Sequence, residues 1–273
     1  MLKDITIGQY FPGSSPLHRA DPRVKIILTV MYIVGIFMAK NVWSFVFAVV
    51  FTAALVIISR IPAKTILRGM KPLIYVIAFT AIINIFWTKG EKPLVEWKFI
   101  HIYAEGLQFA ALMIVRIIAL LAGTGVVLTY TTSPIALTDG LERLLGPLKK
   151  IKIPVHEFSM MMTIALRFIP TLIEETDKIM SAQKARGASF DSGSLPQRAK
   201  ALIPVMIPLF VSAFRRADDL AVAMECRCYR GDVGRTRMTE LHMKPLDWIL
   251  LAVFAAFIAV TVVINIFAPG FSI

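Results

Sequence analysis

Residues 42–59 read VWSFVFAVVFTAALVIIS, and this stretch decides the class of protein. It contains no charged side chain over its whole length. As a helix rising about 1.5 Å per residue, the stretch would be about 27 Å long. That length is close to the thickness of a bilayer's hydrocarbon core, about 30 Å. The stretch therefore predicts a transmembrane helix.

Four further apolar runs predict an all-α integral membrane protein with about five transmembrane helices. They cover residues 24–39, 72–87, 106–130 and 246–267. The composition agrees, because 57% of the 273 residues are hydrophobic and only 18% are charged. The N-terminal segment lacks an apolar core followed by a cleavage site, so we expect the first span to direct the chain to the membrane.

The positive charge indicates how the chain crosses the membrane. The formal net charge is +12, from 30 Lys and Arg against 18 Asp and Glu. With the N-terminus inside, 25 of the 30 basic residues lie on the cytoplasmic side, as the positive-inside rule requires, and the C-terminus lies outside. This arrangement accounts for the charge without nucleic acid, for which no binding module is recognisable.

Two more apolar stretches, 158–173 and 201–214, are predicted to be helices at the cytoplasmic face. If both crossed the bilayer, the short loop between them would place several cations on the external side, which the positive-inside rule disfavours. The alternative, that both enter the bilayer, stays open. The predicted domains are a four-helix membrane domain at 1–130, a cytoplasmic coupling domain at 131–245, and a final span with an external C-terminus at 246–273. The coupling domain would hold an interfacial helix and two long helices.

One polar pattern occurs twice in the coupling domain. An acid, an apolar residue, a small residue and an arginine recur at the same offsets: Asp177, Ile179, Ala182 and Arg186, then Asp218, Leu220, Ala223 and Arg227. We expect Arg186 beside a Gly187 cap, and Arg227 one step inside a helix that is capped at Arg230 and Gly231. An exposed guanidinium presents a rigid fork of donors that suits a partner's carboxylates. Two such forks predict two similar receptors.

The sequence offers little sign of catalysis. No G-x-x-x-x-G-K-[ST] phosphate loop is present, so nucleotide energy must come from another polypeptide. Cys226 and Cys228 are interpreted as reduced packing residues, and the four histidines are scattered, so no metal site is expected. A secondary carrier, a membrane enzyme and a scaffold unrelated to ATPases remain alternatives. Arg116, the ionisable residue inside a predicted span, favours pairing with an acid or a backbone carbonyl over a substrate role.

Several segments carry a family resemblance. They are Asp21–Lys25, the run Ala165-Leu166-Arg167-Phe168-Ile169-Pro170, the run Gln183-Lys184-Ala185-Arg186-Gly187, and Ala223–Gly231. Through them the chain resembles the transmembrane T component of energy-coupling factor transporters, the EcfT/CbiQ family. The resemblance covers essentially the whole chain. In one departure, Cys226 and Cys228 replace the alanine and glycine usual around the second arginine.

The resemblance implies a non-catalytic scaffold subunit of an ATP-driven importer for a vitamin or other micronutrient, in a bacterial cell membrane. Its partners would be two ABC-type ATPase subunits, expected to be non-identical, and a membrane S component that carries the vitamin or metal ion. The chain would need no cofactor, because ATP is bound by the partners. The implied ATPase-docking residues are Ala185, Arg186, Gly187, Cys226, Arg227 and Cys228.

The apolar stripes of the two long helices are expected to form a platform for the S component. Methionine side chains suit such a surface because they are flexible and repack readily. A plain packed core is the alternative interpretation of the same stripes. The predicted platform residues are Met160, Met161, Met162, Leu166, Ile169, Ile207 and Phe210.

Overall fold

The computed structural model describes residues 10–87, 93–97, 100–152, 154–190, 194–231 and 240–267. Within these ranges the regular secondary structure is helical except for one antiparallel hairpin, β1 (Pro93–Trp97) and β2 (Ile100–Tyr103). The helices are α1 (Pro16–Arg19), α2 (Pro22–Met38), α3 (Val42–Ser59), α4 (Ala63–Met70), α5 (Ile74–Trp87), α6 (Ala104–Thr124), α7 (Pro134–Leu144), α8 (Val155–Ala185), α9 (Leu195–Cys226) and α10 (Pro245–Phe267). Tighter or wider helical turns follow α4, α6 and α7, at Lys71–Leu73, Gly125–Thr129 and Gly146–Ile151.

The prediction of an all-α integral membrane protein with about five spans is confirmed. Five described segments are long and apolar enough to cross a membrane: Val42–Ser59, Ala63–Ile85, Gly106–Thr129, Pro196–Cys226 and Pro245–Phe267. The set differs from the predicted one in two places. The predicted first span is α2, whose 17 residues are at the short limit for a crossing. The stretch 201–214 is the middle of the 32-residue α9, and this length is why α9 qualifies as a candidate span.

The chain forms two compact units. One comprises Gly8–Arg143 with Leu241–Ile273 and contains α1–α7 and α10. Of the described residues, the other unit holds 144–152, 154–190, 194–231 and 240, and it contains α8 and α9. The first unit thus includes α10, which follows the second unit in the sequence.

The core of the first unit lies around α2, which packs against α3, α6 and α10. Tyr32 of α2 is fully buried, and its hydroxyl lies 2.7 Å from the hydroxyl of Thr52. The same hydroxyl donates to the carbonyl of Ala119 at 2.8 Å. Gly123 permits this packing, because a Cβ at that position would lie 2.2 Å from the Tyr32 ring. Buried hydrogen bonds and close backbone approach therefore fix α3 and α6 against α2.

Candidate functional site

α8 and α9 form an antiparallel pair within the second unit. Arg216 of α9 donates to Glu175 of α8, with Nη2 and Oε2 2.9 Å apart. The Tyr229 hydroxyl, just beyond the end of α9, donates to the sulfur of Met160 near the start of α8, at 3.0 Å. Along α8, Glu175 follows Met160 by roughly four helical turns, whereas along α9 the partner of Glu175, Arg216, precedes Tyr229 by roughly four turns. The two helices therefore run in opposite directions. The two contacts thus set the register of the pair.

The Glu175 contact depends on the ionised carboxylate. A hydrogen bond from Ser212 and the guanidinium of Arg216 hold the pKa of Glu175 below its ordinary value. The pair is partly exposed, so it stabilises the helix pair by about 1 kcal/mol or less. That contribution is present above the ordinary pKa of glutamate and is lost as the pH falls through the lowered pKa.

α8 ends in a Schellman motif in which Arg186 is the C-cap. The next residue, Gly187, adopts the left-handed conformation with a φ of +90°. Its N–H donates to the carbonyl of Lys184 at 3.0 Å, and the N–H of Ala188 donates to the carbonyl of Gln183 at 3.0 Å. These two bonds satisfy carbonyls that the helix itself leaves without partners. The expected cap at Gly187 is confirmed.

α9 ends in the same motif with Arg227 as its C-cap. Cys228 takes the left-handed position with a φ of +54°, and its N–H donates to the carbonyl of Glu225 at 2.8 Å. The N–H of Tyr229 donates to the carbonyl of Met224 at 3.1 Å. The pattern is the one seen at the end of α8, so the duplicated sequence builds a duplicated backbone.

The prediction that α9 is capped at Arg230 and Gly231 is therefore wrong. The prediction assumed that a left-handed cap needs glycine, but a Cβ there costs only about 1–2 kcal/mol. The two backbone bonds at the end of α9 offset that cost, and the Tyr229–Met160 contact holds the chain where it leaves the helix. Cys226 and Cys228 are also exposed and not packing residues, because both lie at this solvent-facing helix end.

The predicted ATPase-docking residues all lie on the surface at these two ends. Each of the six is exposed: Ala185, Arg186, Gly187, Cys226, Arg227 and Cys228. Within the described ranges, no hydrogen-bond or ion-pair partner is found for the guanidinium of Arg186 or of Arg227. Arg227 lies at the Met160 end of α8, and Met160 and Arg186 are about 39 Å apart along the helix at 1.5 Å per residue. The two arginines thus lie at opposite ends of the pair.

The predicted platform residues form two patches and not one. Met160, Met161, Met162, Leu166 and Ile169 precede Glu175 on α8, toward the Arg227 end. Ile207 and Phe210 precede Arg216 on α9, so they lie on the other side of the Glu175–Arg216 contact, toward the Arg186 end. Most of these side chains are exposed, whereas Met160 and Leu166 are half-buried. The contact between the helices thus separates the two patches.

We predict that Cys228→Gly will slow amide hydrogen exchange at the end of α9. Removing the Cβ relieves about 1 kcal/mol of left-handed strain, and the greater freedom of glycine in the open state offsets part of this. A net gain of about 0.5 kcal/mol would slow exchange about two-fold, measured by mass spectrometry of the α9 C-terminal peptides.

Two variants calibrate this prediction. Cys228→Ala keeps the Cβ and is expected to leave exchange unchanged. Gly187→Ala introduces the same strain at the end of α8 and is expected to speed exchange there about five-fold, for a cost of about 1 kcal/mol. Faster exchange in Cys228→Gly than in the wild type would contradict the assignment of strain to Cys228.

The sequence matches known proteins over nearly its whole length. Residues 13–241 match the CbiQ family, described as cobalt transport protein. An energy-coupling factor transporter transmembrane protein EcfT from Ruminiclostridium cellulolyticum is 54% identical over 257 residues, covering 94% of this chain and 96% of the relative. Proteins of the same name from Clostridium kluyveri and Bacillus subtilis are 55% and 46% identical, over 91% and 88% of this chain and 92% and 91% of the relatives.

The chain belongs to the CbiQ family. It is the transmembrane component of an energy-coupling factor transporter and a multi-pass membrane protein. The resemblance inferred from the paired arginine segments is thereby confirmed. Membership in an energy-coupling factor transporter places the chain in a complex with other subunits.

In this CbiQ-family chain, the segment Asp21–Lys25 begins α2 and joins it to α10. Asp21 caps α2 by accepting the N–H of Arg23 at 2.9 Å. The backbone N–H of Asp21 donates to the buried carboxylate of Asp247 in α10 at 2.9 Å, and Asp247 also accepts the N–H of Lys244 at 2.8 Å. Arg23 binds both oxygens of Asp21 and donates to the carbonyl of Leu241 at 3.0 Å. We call this set of contacts the α2–α10 latch.

Two further cations extend the α2–α10 latch to neighbouring elements. Lys25 is buried and donates to the carbonyl of Thr131 at 2.8 Å and to that of His18 at 3.2 Å. Arg143 at the end of α7 donates to the carbonyl of Leu241 at 3.4 Å. Sequence reasoning identified the Asp21–Lys25 segment but missed Asp247. The sequence signal that could have identified Asp247 was its carboxylate at the start of the otherwise apolar run 246–267.

Arg116 pairs with a backbone carbonyl, as predicted from its isolation in an apolar run. Its Nη2 donates to the carbonyl of Ala39 at 2.8 Å. Ala39 is the C-cap of α2, a position where a helix leaves carbonyls without partners. The guanidinium also lies over the Phe45 ring, 5.7 Å from its centroid. Arg116 thus closes the end of α2 opposite the latch.

Proposed function

We propose that this transmembrane component is the scaffold of an ATP-driven importer for a vitamin or other micronutrient. It would transmit the movement of two ABC-type ATPase subunits to a separate substrate-binding S component in the membrane. The observation that carries this proposal is the pair of exposed arginine C-caps on α8 and α9. Each presents a guanidinium fork on a rigid helix end, and such a fork suits carboxylates in a groove of a partner.

The placement of the two arginines supports two receptors. They lie at opposite ends of an antiparallel pair, too far apart for a single groove on one small surface. The small neighbours of each arginine permit a partner's backbone to approach closely. Gly187 beside one and Cys226 and Cys228 beside the other make the two surfaces different, which favours non-identical ATPases.

The exposed apolar side chains of α8 and α9 support contact with a membrane partner. Met161 is 61% exposed and Ile207 is 60% exposed, although both are apolar. Exposed apolar patches of this kind are typical of interaction sites. Two patches on either side of the Glu175–Arg216 contact would let each end of the helix pair move a different part of the S component.

The chemistry of the complex would reside in the partners. The sequence lacks a phosphate-binding loop, so ATP would be bound and hydrolysed by the ATPase subunits, and the chain itself would be non-catalytic and free of cofactors. The membrane orientation accounts for the positive charge, so we propose no nucleic-acid partner. Cargo selection would belong to the S component.

We further propose that the N-terminus and the α8–α9 pair are cytoplasmic and that the C-terminus is external. The cations Arg60, Lys64, Arg68 and Lys71 between α3 and α5 support this orientation, as do those along α8 and α9. α9 has the length of a span, but crossing would place Arg198 and Lys200 on the external side. The ATPases would then meet both arginine ends in the cytoplasm.

Purification of a tagged copy from its native membranes in mild detergent tests the proposed function. We expect two ATPase subunits and a small, very hydrophobic membrane protein to be recovered with the chain, identified and counted by mass spectrometry. Recovery of the intact chain alone would instead favour a secondary carrier or a scaffold unrelated to ATPases.

A further inference from the structure

α4 presents a cationic face at the start of the candidate span Ala63–Ile85, just after the candidate span Val42–Ser59. Lys64, Arg68 and Lys71 follow one another at helical spacings of four and three residues, so they lie on one side of the helix and of the turn that continues it. All three are exposed, and Arg60 at the end of α3 adds a fourth exposed cation nearby. These four residues constitute the α4 cationic face.

Nothing in the described part of the chain neutralises the α4 cationic face. No ion pair or side-chain hydrogen bond is found there for any of the four cations. The sequence between Asp21 and Glu91 contains no aspartate or glutamate. This face therefore attracts anions supplied from outside the chain.

The opposite side of α4 fixes the orientation of the cationic face. Ile66 and Met70 are buried in the core of the first unit, so α4 cannot rotate to hide its cations. Ile66 and Met70 are one turn apart and lie on the side of the helix away from Lys64.

Two exposed apolar or aromatic residues beside these cations indicate that the α4 cationic face lies at a membrane surface and not in bulk water. Leu67 is 64% exposed and lies between Lys64 and Lys71 on the helix surface. Tyr75, one turn after Lys71 at the start of α5, is 81% exposed. Tyrosine is enriched where helices leave the hydrocarbon core, and basic amphipathic helices lie in that layer.

We propose that the α4 cationic face binds the headgroups of anionic phospholipids. Lys64, Arg68 and Lys71 contact the phosphates, and Leu67 inserts among the acyl chains beside them. The charge of the face is complementary to an anionic leaflet, and Leu67 and Tyr75 match the layer where those headgroups lie. This site is independent of the arginine ends and of the partners proposed for them.

Lipid titration of the full chain tests this proposal. The chain, purified in a neutral detergent, is titrated with dioleoylphosphatidylglycerol or dioleoylphosphatidylcholine, and bound lipids are counted by native mass spectrometry. We expect preferential binding of phosphatidylglycerol. Each cation near an anionic surface contributes about five-fold in affinity, so Lys64→Gln/Arg68→Gln/Lys71→Gln is expected to weaken this binding about 100-fold.

A matched variant removes the same charges elsewhere. Lys178→Gln/Lys200→Gln/Arg215→Gln also loses two lysines and one arginine, all exposed on α8 and α9, and should bind phosphatidylglycerol as the wild type does. If the α4 variant does not fold, the wild type alone remains a test, because binding should weaken steeply between 50 and 500 mM salt, concentrations chosen to shorten the screening length from about 14 Å to about 4 Å.

Three results would overturn the proposal. They are equal binding of the two lipids by the wild type, unchanged phosphatidylglycerol binding by the α4 variant, and salt-independent binding. If the α4 variant binds phosphatidylglycerol as the wild type does but loses a protein subunit during purification from native membranes, the face binds an acidic protein surface instead.

Discussion

Replacing Arg186 and Arg227 together with glutamate is expected to leave the chain in the membrane but to abolish recovery of both ATPase subunits. Each guanidinium is exposed at a helix end, and the described structure assigns it no internal role. A charge-assisted hydrogen bond contributes about 1.5–3 kcal/mol, and glutamate adds repulsion from the partner's carboxylates. Each single change should weaken the docking of one ATPase by at least ten-fold, and the double change should weaken the docking of the ATPase pair by at least a hundred-fold.

The measurement is the yield of each ATPase after affinity purification of the tagged chain at low expression, since excess partner would mask a weakened contact by mass action. The matched control is Arg167→Glu/Arg215→Glu, which reverses two exposed arginines on the same helices away from their ends. It should retain both ATPases.

The variant Arg186→Lys/Arg227→Lys separates charge from geometry. Lysine keeps the positive charge but lacks the planar fork, so we expect intermediate recovery. The variant Arg186→Gln/Arg227→Gln removes the charge without the small penalty of an acid at a helix C-terminus. Full recovery of both ATPases with the double glutamate variant would contradict the assignment of Arg186 and Arg227 as docking residues.

Asp247→Ala is expected to destabilise the chain by about 3 kcal/mol. The carboxylate is 1% exposed and accepts the backbone N–H groups of Asp21 and Lys244. Alanine would leave both donors without a partner, and each hydrogen bond to a charged group contributes about 1.5–3 kcal/mol. The α2–α10 latch would then lose its contact between the first and last long helices.

The expected loss corresponds to a fall in Tm of about 6–12 °C, measured by fluorescence in detergent or by the fraction that remains monodisperse after heating. Asp247→Asn keeps one carbonyl oxygen as an acceptor, so its Tm should fall by about half as much as that of Asp247→Ala. Asp218→Ala, an exposed aspartate on α9, is the control and should change Tm by less than about 2 °C. An unchanged Tm in Asp247→Ala would show that the latch does not contribute to stability.

The ionisation of Asp21 is linked to the same latch. Burial acts to raise the pKa of Asp21, but hydrogen bonds from Arg23 and its positive charge outweigh burial and lower that pKa below its ordinary value. The carboxylate therefore stays ionised through the neutral range, and the Asp21–Arg23 pair weakens only as the pH falls through the lowered pKa.

Much of the helical fold was predictable because the signals that define it are local. Residues 42–59 are apolar without interruption, and the predicted bounds match α3 residue for residue. The duplicated acid-to-arginine pattern also placed Arg186 correctly at the end of α8. The end of α9 was misplaced because composition favours glycine as a cap, whereas the backbone accepts Cys228 when two hydrogen bonds and the Tyr229–Met160 contact close the helix.

The sequence by itself determined that this is a helical membrane protein with two arginine-tipped helices, because hydropathy, periodicity and duplicated spacing are properties of neighbouring residues. Only the tertiary structure decided that Asp247 caps a donor 226 positions away, that Arg116 closes the end of α2, and that the predicted platform divides into two patches. Each depends on which helices meet and in what register. That choice is fixed by packing and buried hydrogen bonds across the whole chain, which no local pattern records.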